Sequence, residues 1–206
     1  VELARSRPGR LNYGSAGLGS SQHLSAEYFN QLAGTSYNIL FLGYGGSDTV
    51  LGNGQTYLHL GALNRSTNGA GITVDLDSGS ADLSNMSNNG VAMGTVTFSG
   101  TNGLFGTNFA DTLLGGANDD FEFFRGGAGD DFIDGRSGYD RADYRNASDS
   151  VTVNLAQGTA GSVSQGTDTL RSIENIGGTS GNDTITGNAQ ANILVGVGGA
   201  DVLTGL

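Results

Sequence analysis

The chain has no cysteine, no tryptophan and a single proline, and all nine of its basic residues are arginine. Without cysteine there is neither a disulfide framework nor a thiolate metal site, and the redox compartment stays open. No apolar run approaches the roughly 20 residues that span a bilayer, and no charged-then-apolar leader opens the chain. Histidine is scarce as well: with only His23 and His59, no HExxH zinc helix can form. A GxSxG nucleophile elbow is also missing. Carboxylates are plentiful, but pairs on the surface of a repeat lack the closed cleft that acid/base work requires. The chain is therefore read as non-enzymatic.

What is abundant is glycine and aspartate: 37 glycines and 20 acidic residues stand against 9 basic ones. Sixteen of the acids are Asp, the short carboxylate that favours turns and serves as a hard oxygen ligand. Charge divides the chain. Residues 1–37 carry three Arg and two Glu, whereas residues 38–206 carry six Arg and 18 acids, a net of −12. A body this acidic repels nucleic-acid phosphates and anionic membranes. Its own carboxylates repel one another unless cations neutralise them.

Three nine-residue units close the chain in register: GTSGNDTIT from Gly178, GNAQANILV from Gly187 and GVGGADVLT from Gly196. Each has a glycine-rich turn, a carboxylate or amide at the sixth position (Asp183, Asn192, Asp201), and an aliphatic residue two places later (Ile185, Leu194, Leu203). The same unit recurs in GTNFADTLLG from Gly106, GGANDDFEFF from Gly115, GGAGDDFID from Gly126 and GRSGYDRAD from Gly135. Spacing there is 9, 11 and then 9, so two residues are inserted near Phe121. A weaker copy spans 38–61, where Gly43, Gly52 and Gly61 hold the period, Tyr57 takes the ligand place and His59 the core place. ITVDL at Ile72 and VTVNL at Val151 precede similar units and suggest a larger duplication.

These units read GGxGxDxUx, with U a large aliphatic residue, and over about 38–206 the chain resembles the RTX, or hemolysin-type, family of secreted bacterial proteins. The strongest repeats are 106–143 and 178–205. The resemblance implies a mainly β fold, a parallel β-roll or β-solenoid in which two nonapeptides make one turn, with Ca2+ held in the turns and an extracellular or cell-surface location. It also implies ligand pairs between units on one side of the roll: Asp183 with Asp201, Asp120 with Asp140, and Asp111 with Asp131. Gly127, Gly129, Gly138, Gly181 and Gly199 would turn backbone carbonyls inward to complete six to eight oxygens. Asp48 joins the candidate ligands, although its turn, like that of Asp111, has an aromatic residue (Tyr44, Phe109) where glycine is expected. The alternative is structural, each Asp bonding its own loop amides. Asp119 and Asp130 are expected to be solvated and unbonded. Ile133, Ile185, Leu194 and Leu203 are expected in the core. Asn192 implies no full site.

Residues 1–37 read differently. PGRLNYGSAGLGSSQHLSAEYFNQLAG, from Pro8, suggests a strand, a glycine-serine loop and an amphipathic helix, the loop before the helix being a potential anion cradle. This segment resembles the periplasmic solute-binding proteins of tripartite tricarboxylate transporters. The first residue is Val and the chain stops inside a repeat, so it reads as a fusion or a fragmentary product. The overall expectation is a calcium-binding module that folds on the ion. The alternatives are a carboxylate-receptor fragment, or the non-catalytic part of a larger secreted enzyme, toxin or adhesin. Calcium is the expected partner, with possible self-association at the roll ends.

Overall fold

The computed structural model describes residues 38–40, 48–61, 69–88 and 91–205. The strand-loop-helix expected over 1–37, and Gly43 and Tyr44, lie outside the described residues. Most strands are three residues long, because the x-U-x triplet after each turn is all the chain the repeat leaves extended. In a triplet the middle side chain faces one way and its neighbours the other. The middle residue therefore builds the core.

Two stacks of these triplets face each other. One stack runs through strands Thr73–Asp75, Thr112–Leu114, Phe132–Asp134 and Gly166–Arg171, then through Thr159–Ser162 and Thr152–Asn154 to Thr184–Thr186 and Val202–Thr204. The other runs Asn38–Leu40, Asp48–His59, Thr95–Phe105, Phe123–Arg125, Arg141–Asp143, Asn175–Gly177 and Ile193–Val195. Register is parallel within the repeats: Ile133 lies beside Leu113, Ala142 beside Phe124, and Ile185 beside Leu203. Val74, Leu113, Ile133, Leu170, Val153 and Ile185 are buried along one stack, and Leu58, Leu104, Phe124, Ala142 and Ile176 along the other. This is a β-roll, as the family resemblance implied.

Two features depart from the expectation. Leu203 is 47% exposed and Leu194 only partly buried, because in the described residues no strand follows theirs to cover the end of the core. In strand Asp48–His59, Leu58 occupies the core and His59 faces outward. Alternation sets this register, since the strand pairs Leu58 with the fully buried Leu104.

The duplication is visible in the backbone. Thr73–Asp75 and Ser80–Asp82 form an antiparallel hairpin, as do Thr152–Asn154 and Thr159–Ser162. Each turn ends on a glycine in the left-handed region, Gly79 at φ +62° and Gly158 at +66°, which side chains rarely adopt. Each glycine carbonyl accepts an amide from the strand that follows the hairpin, Phe98 of Thr95–Phe105 in one copy and Leu170 of Gly166–Arg171 in the other. Among the described residues there is no α-helix and none long and apolar enough to cross a membrane.

Candidate metal centre

One position decides the chemistry of every turn: the residue immediately before the triplet, two places ahead of the core side chain. Asp111, Asp131 and Asp168 hold it on one side of the roll, Glu122, Asp140, Glu174 and Asn192 on the other, and Asp183 and Asp201 near the end. Parallel register sets neighbours side by side, and each carboxylate caps the amide of the preceding rung. Asp131 Oδ1 accepts the N–H of Asp111 at 2.8 Å, and Asp168 Oδ1 that of Asp131 at 3.0 Å. Across the roll, Asp140 Oδ1 accepts from Glu122 at 2.9 Å and Glu174 Oε2 from Asp140 at 2.9 Å. Asp201 Oδ1 accepts the N–H of Asp183 at 2.9 Å. The first position of these turns is glycine because the carboxylate lies where a Cβ would stand, as at Gly126 beside Asp131.

The turns then divide into two chemical types. In Gly106–Asp111 and Gly178–Asp183 the second residue is Thr, and it saturates the acid. Thr107 gives Asp111 its N–H at 2.6 Å and its hydroxyl at 2.9 Å, while the Ile72 N–H adds a third donor at 2.9 Å. Thr179 and Val151 repeat this set on Asp183 at 2.6, 2.8 and 2.8 Å. In the turns ending at Asp131 and Asp140 the Thr is absent. There each Oδ2 is buried without any hydrogen-bond partner.

Burial of so many acids perturbs them strongly. Asp131 is pushed up to about 8, first by burial and then by the carboxylates of Asp168, Asp111 and Asp130. Burial, and then Glu122 and Glu174, raise Asp140 to about 7. Burial and then Asp120 raise Glu122 to about 7, and burial raises Asp111 and Asp168 to about 6. Two buried, partnerless carboxylate oxygens amid this charge are a donor set for a hard divalent cation. Backbone oxygens can supply the rest. Gly127, Gly129, Gly138 and Gly199 all have positive φ, between +97° and +128°. Against them lie the carbonyls of Thr107, Phe109, Asp120 and Gly181 from the turn one rung away. Among the described residues no three acidic or histidine side chains converge on one point, so an ion would rest largely on carbonyls.

Several expected site residues are placed differently. Glu122, not Asp120, faces Asp140: Asp120 is exposed in the turn, because the two inserted residues fall before the pre-strand position. Asp120 brings its carbonyl to Gly138, and its carboxylate accepts from the Asn118 amide. Gly181 lacks a positive φ and instead donates its N–H to Thr179 Oγ1 at 2.9 Å. Asp130 is exposed but not unbonded, since its Oδ1 accepts the Thr167 N–H at 2.8 Å. Asp119 is exposed. Asn192 caps its own turn by accepting the Asn188 N–H at 2.8 Å. Asp48 opens a strand, and its side chain lies outside the described residues. Glu122, Asp168 and Glu174 were missed, although counting back two residues from Phe124, Leu170 and Ile176 locates all three.

No curated protein matches the chain. The profile of the RTX calcium-binding nonapeptide repeat, four copies long, matches residues 97–121, 105–142 and 174–206, and does not reach the transporter-like segment at the start. These are the rungs on which the carboxylates stack. Segments 97–142 and 174–206 of this β-roll thus match the RTX calcium-binding nonapeptide repeat, a non-catalytic repeat whose ion is Ca2+.

Proposed function

We propose that the chain is a calcium-folded module of a secreted protein, with Ca2+ seated between turns one rung apart. The buried, partnerless Oδ2 atoms of Asp131 and Asp140 carry this reading. The Asp131 ion would draw on the carbonyls of Thr107 and Phe109, the Asp140 ion on that of Asp120, and a third ion at Asp201 on that of Gly181. Asp111 and Asp183 sit at the same rungs with donors already in place, so they serve mainly to anchor the neighbouring strand. The ion removes the charge cost that burial imposes, so binding free energy becomes folding free energy.

Extracellular calcium modules bind at roughly 0.1–1 mM, so the chain would stay loose at cytosolic calcium and order outside the cell. Calorimetric titration of the whole chain tests the reading. Saturable calcium binding that weakens in the double variant Asp131→Asn, Asp140→Asn is expected. Equal affinity and stoichiometry in that variant would place the ions elsewhere.

A further inference from the structure

Among the described residues, three arginines cluster around one carboxylate. Arg125 Nη2 and Arg145 Nε each lie 2.6 Å from Asp143, and Arg141 Nη2 lies 3.3 Å from it. The Asp143 side chain is wholly buried. Three guanidinium groups thus share one carboxylate, and the Nε atoms of Arg125 and Arg141 are buried without a partner. Crowding is evident at Arg141, whose pKa is lowered by burial and by the charges of Arg145 and Arg125.

Arg125 also forms the wall of a cavity of about 390 Å3. Its guanidinium carbon sits 4.7 Å over the Phe105 ring, and His59 meets the same ring edge-on at 3.9 Å. Burial, and then Arg125, lower the His59 pKa to about 4, so the imidazole is neutral and Arg125 is the one charged side chain of the lining. The remaining lining is uncharged, with Asn146, Ser148 and Gln165 on one side and the turn residues Thr107, Gly127 and Ala128 on the other. The nearby Asp149 is turned onto the hydroxyls and amides of Ser162–Ser164. One guanidinium beside several amides and hydroxyls recognises an anion that itself carries hydroxyl groups.

We propose that this cavity, which borders the Asp131 turn at Thr107 and Gly127, is a binding site for a small polyhydroxylated carboxylate such as an acidic sugar, with Arg125 holding the carboxylate and Asn146, Ser148 and Gln165 the hydroxyls.

The test is titration of the whole calcium-saturated chain with glucuronate, followed by NMR, with glucose and acetate as separate arms. Glucuronate should bind at least about tenfold more tightly than either, since a charge-assisted contact and the hydroxyl contacts must act together. Arg125→Gln should weaken it by about tenfold or more. Asn146 is exposed and outside the ion pairs, so Asn146→Ala keeps the fold and should weaken binding severalfold even where Arg125→Gln fails to fold. Calcium affinity, measured on the same samples, should not move in Asn146→Ala. Glucuronate binding no tighter than acetate or glucose would overturn the proposal. So would a response unchanged in both variants, which would mean chelation of the calcium itself.

Discussion

Replacing Asp131 by Asn should stabilise the chain in chelator and destabilise it in calcium. Asp131 has its Oδ1 committed to the Asp111 amide and its Oδ2 buried with no donor. Burial and the neighbouring acids raise its pKa from 3.8 to about 8. At pH 7.5 the unfolded carboxylate must therefore take up a proton on folding, at roughly 1.4 kcal/mol per pKa unit and roughly 5 kcal/mol in all. Asn keeps the acceptor for Asp111 and abolishes the charge, but its Nδ2 lies where no acceptor has been provided. Recovery of about 2–4 kcal/mol in the ion-free chain is the expected net.

In calcium the sign reverses. An ion at about 100 times its dissociation constant contributes about 2.7 kcal/mol, and the variant forfeits most of this at one rung. The far-UV β signal in excess chelator and urea unfolding in saturating calcium, both at pH 7.5, read the two effects. A larger β signal in chelator with a lower urea midpoint in calcium is predicted. A loss in both conditions would refute the reasoning, because it would make Asp131 a strand cap and nothing more.

The acids raised above their ordinary values bind protons more tightly in the folded chain than in the unfolded one. Their contribution is fully present below about pH 4 and is lost as pH rises through about 6 for Asp111 and Asp168 and about 8 for Asp131. The ion-free chain should therefore lose stability between pH 5 and 8, with calcium suppressing that loss and binding more tightly as pH rises; thermal melts with and without calcium check this. Glu122→Gln should reduce the calcium-induced stability gain severalfold while Asp120→Asn changes it by less than about twofold, since the Asp120 carbonyl survives the substitution; the opposite ranking would restore Asp120 to the pre-strand position. Phe124 is fully buried at the centre of its triplet, so Phe124→Ala should cost about 3–5 kcal/mol in calcium-saturated unfolding.

How much of this was legible in the sequence depends on what the period counts. Nine-residue spacing measures glycine turn to core residue, so it located Ile133 and Ile185 and the register of Asp183 with Asp201. Counting forward from glycine failed where residues were inserted, and so it selected Asp120 over Glu122. Counting backward from the core side chain is robust, because the capping acid always stands two positions before the side chain it positions. Asp168 and Glu174 obey that rule in a stretch without the glycine pattern. Near Leu58, alternating polar and apolar residues allow two registers, and only pairing with Leu104 selects one. The difference between saturated and partnerless carboxylates was legible in principle, since it rests on Thr107 and Thr179 following the first glycine. Its meaning required the three-dimensional hydrogen bonds.

The central claim is that this roll is completed by calcium, and far-UV circular dichroism of the whole chain during a calcium titration at pH 7.5, with magnesium in parallel, tests it most directly. A cooperative gain of β signal at about 0.1–1 mM calcium, absent with magnesium, is predicted. A β signal already complete in excess chelator, and unmoved by calcium, would contradict it.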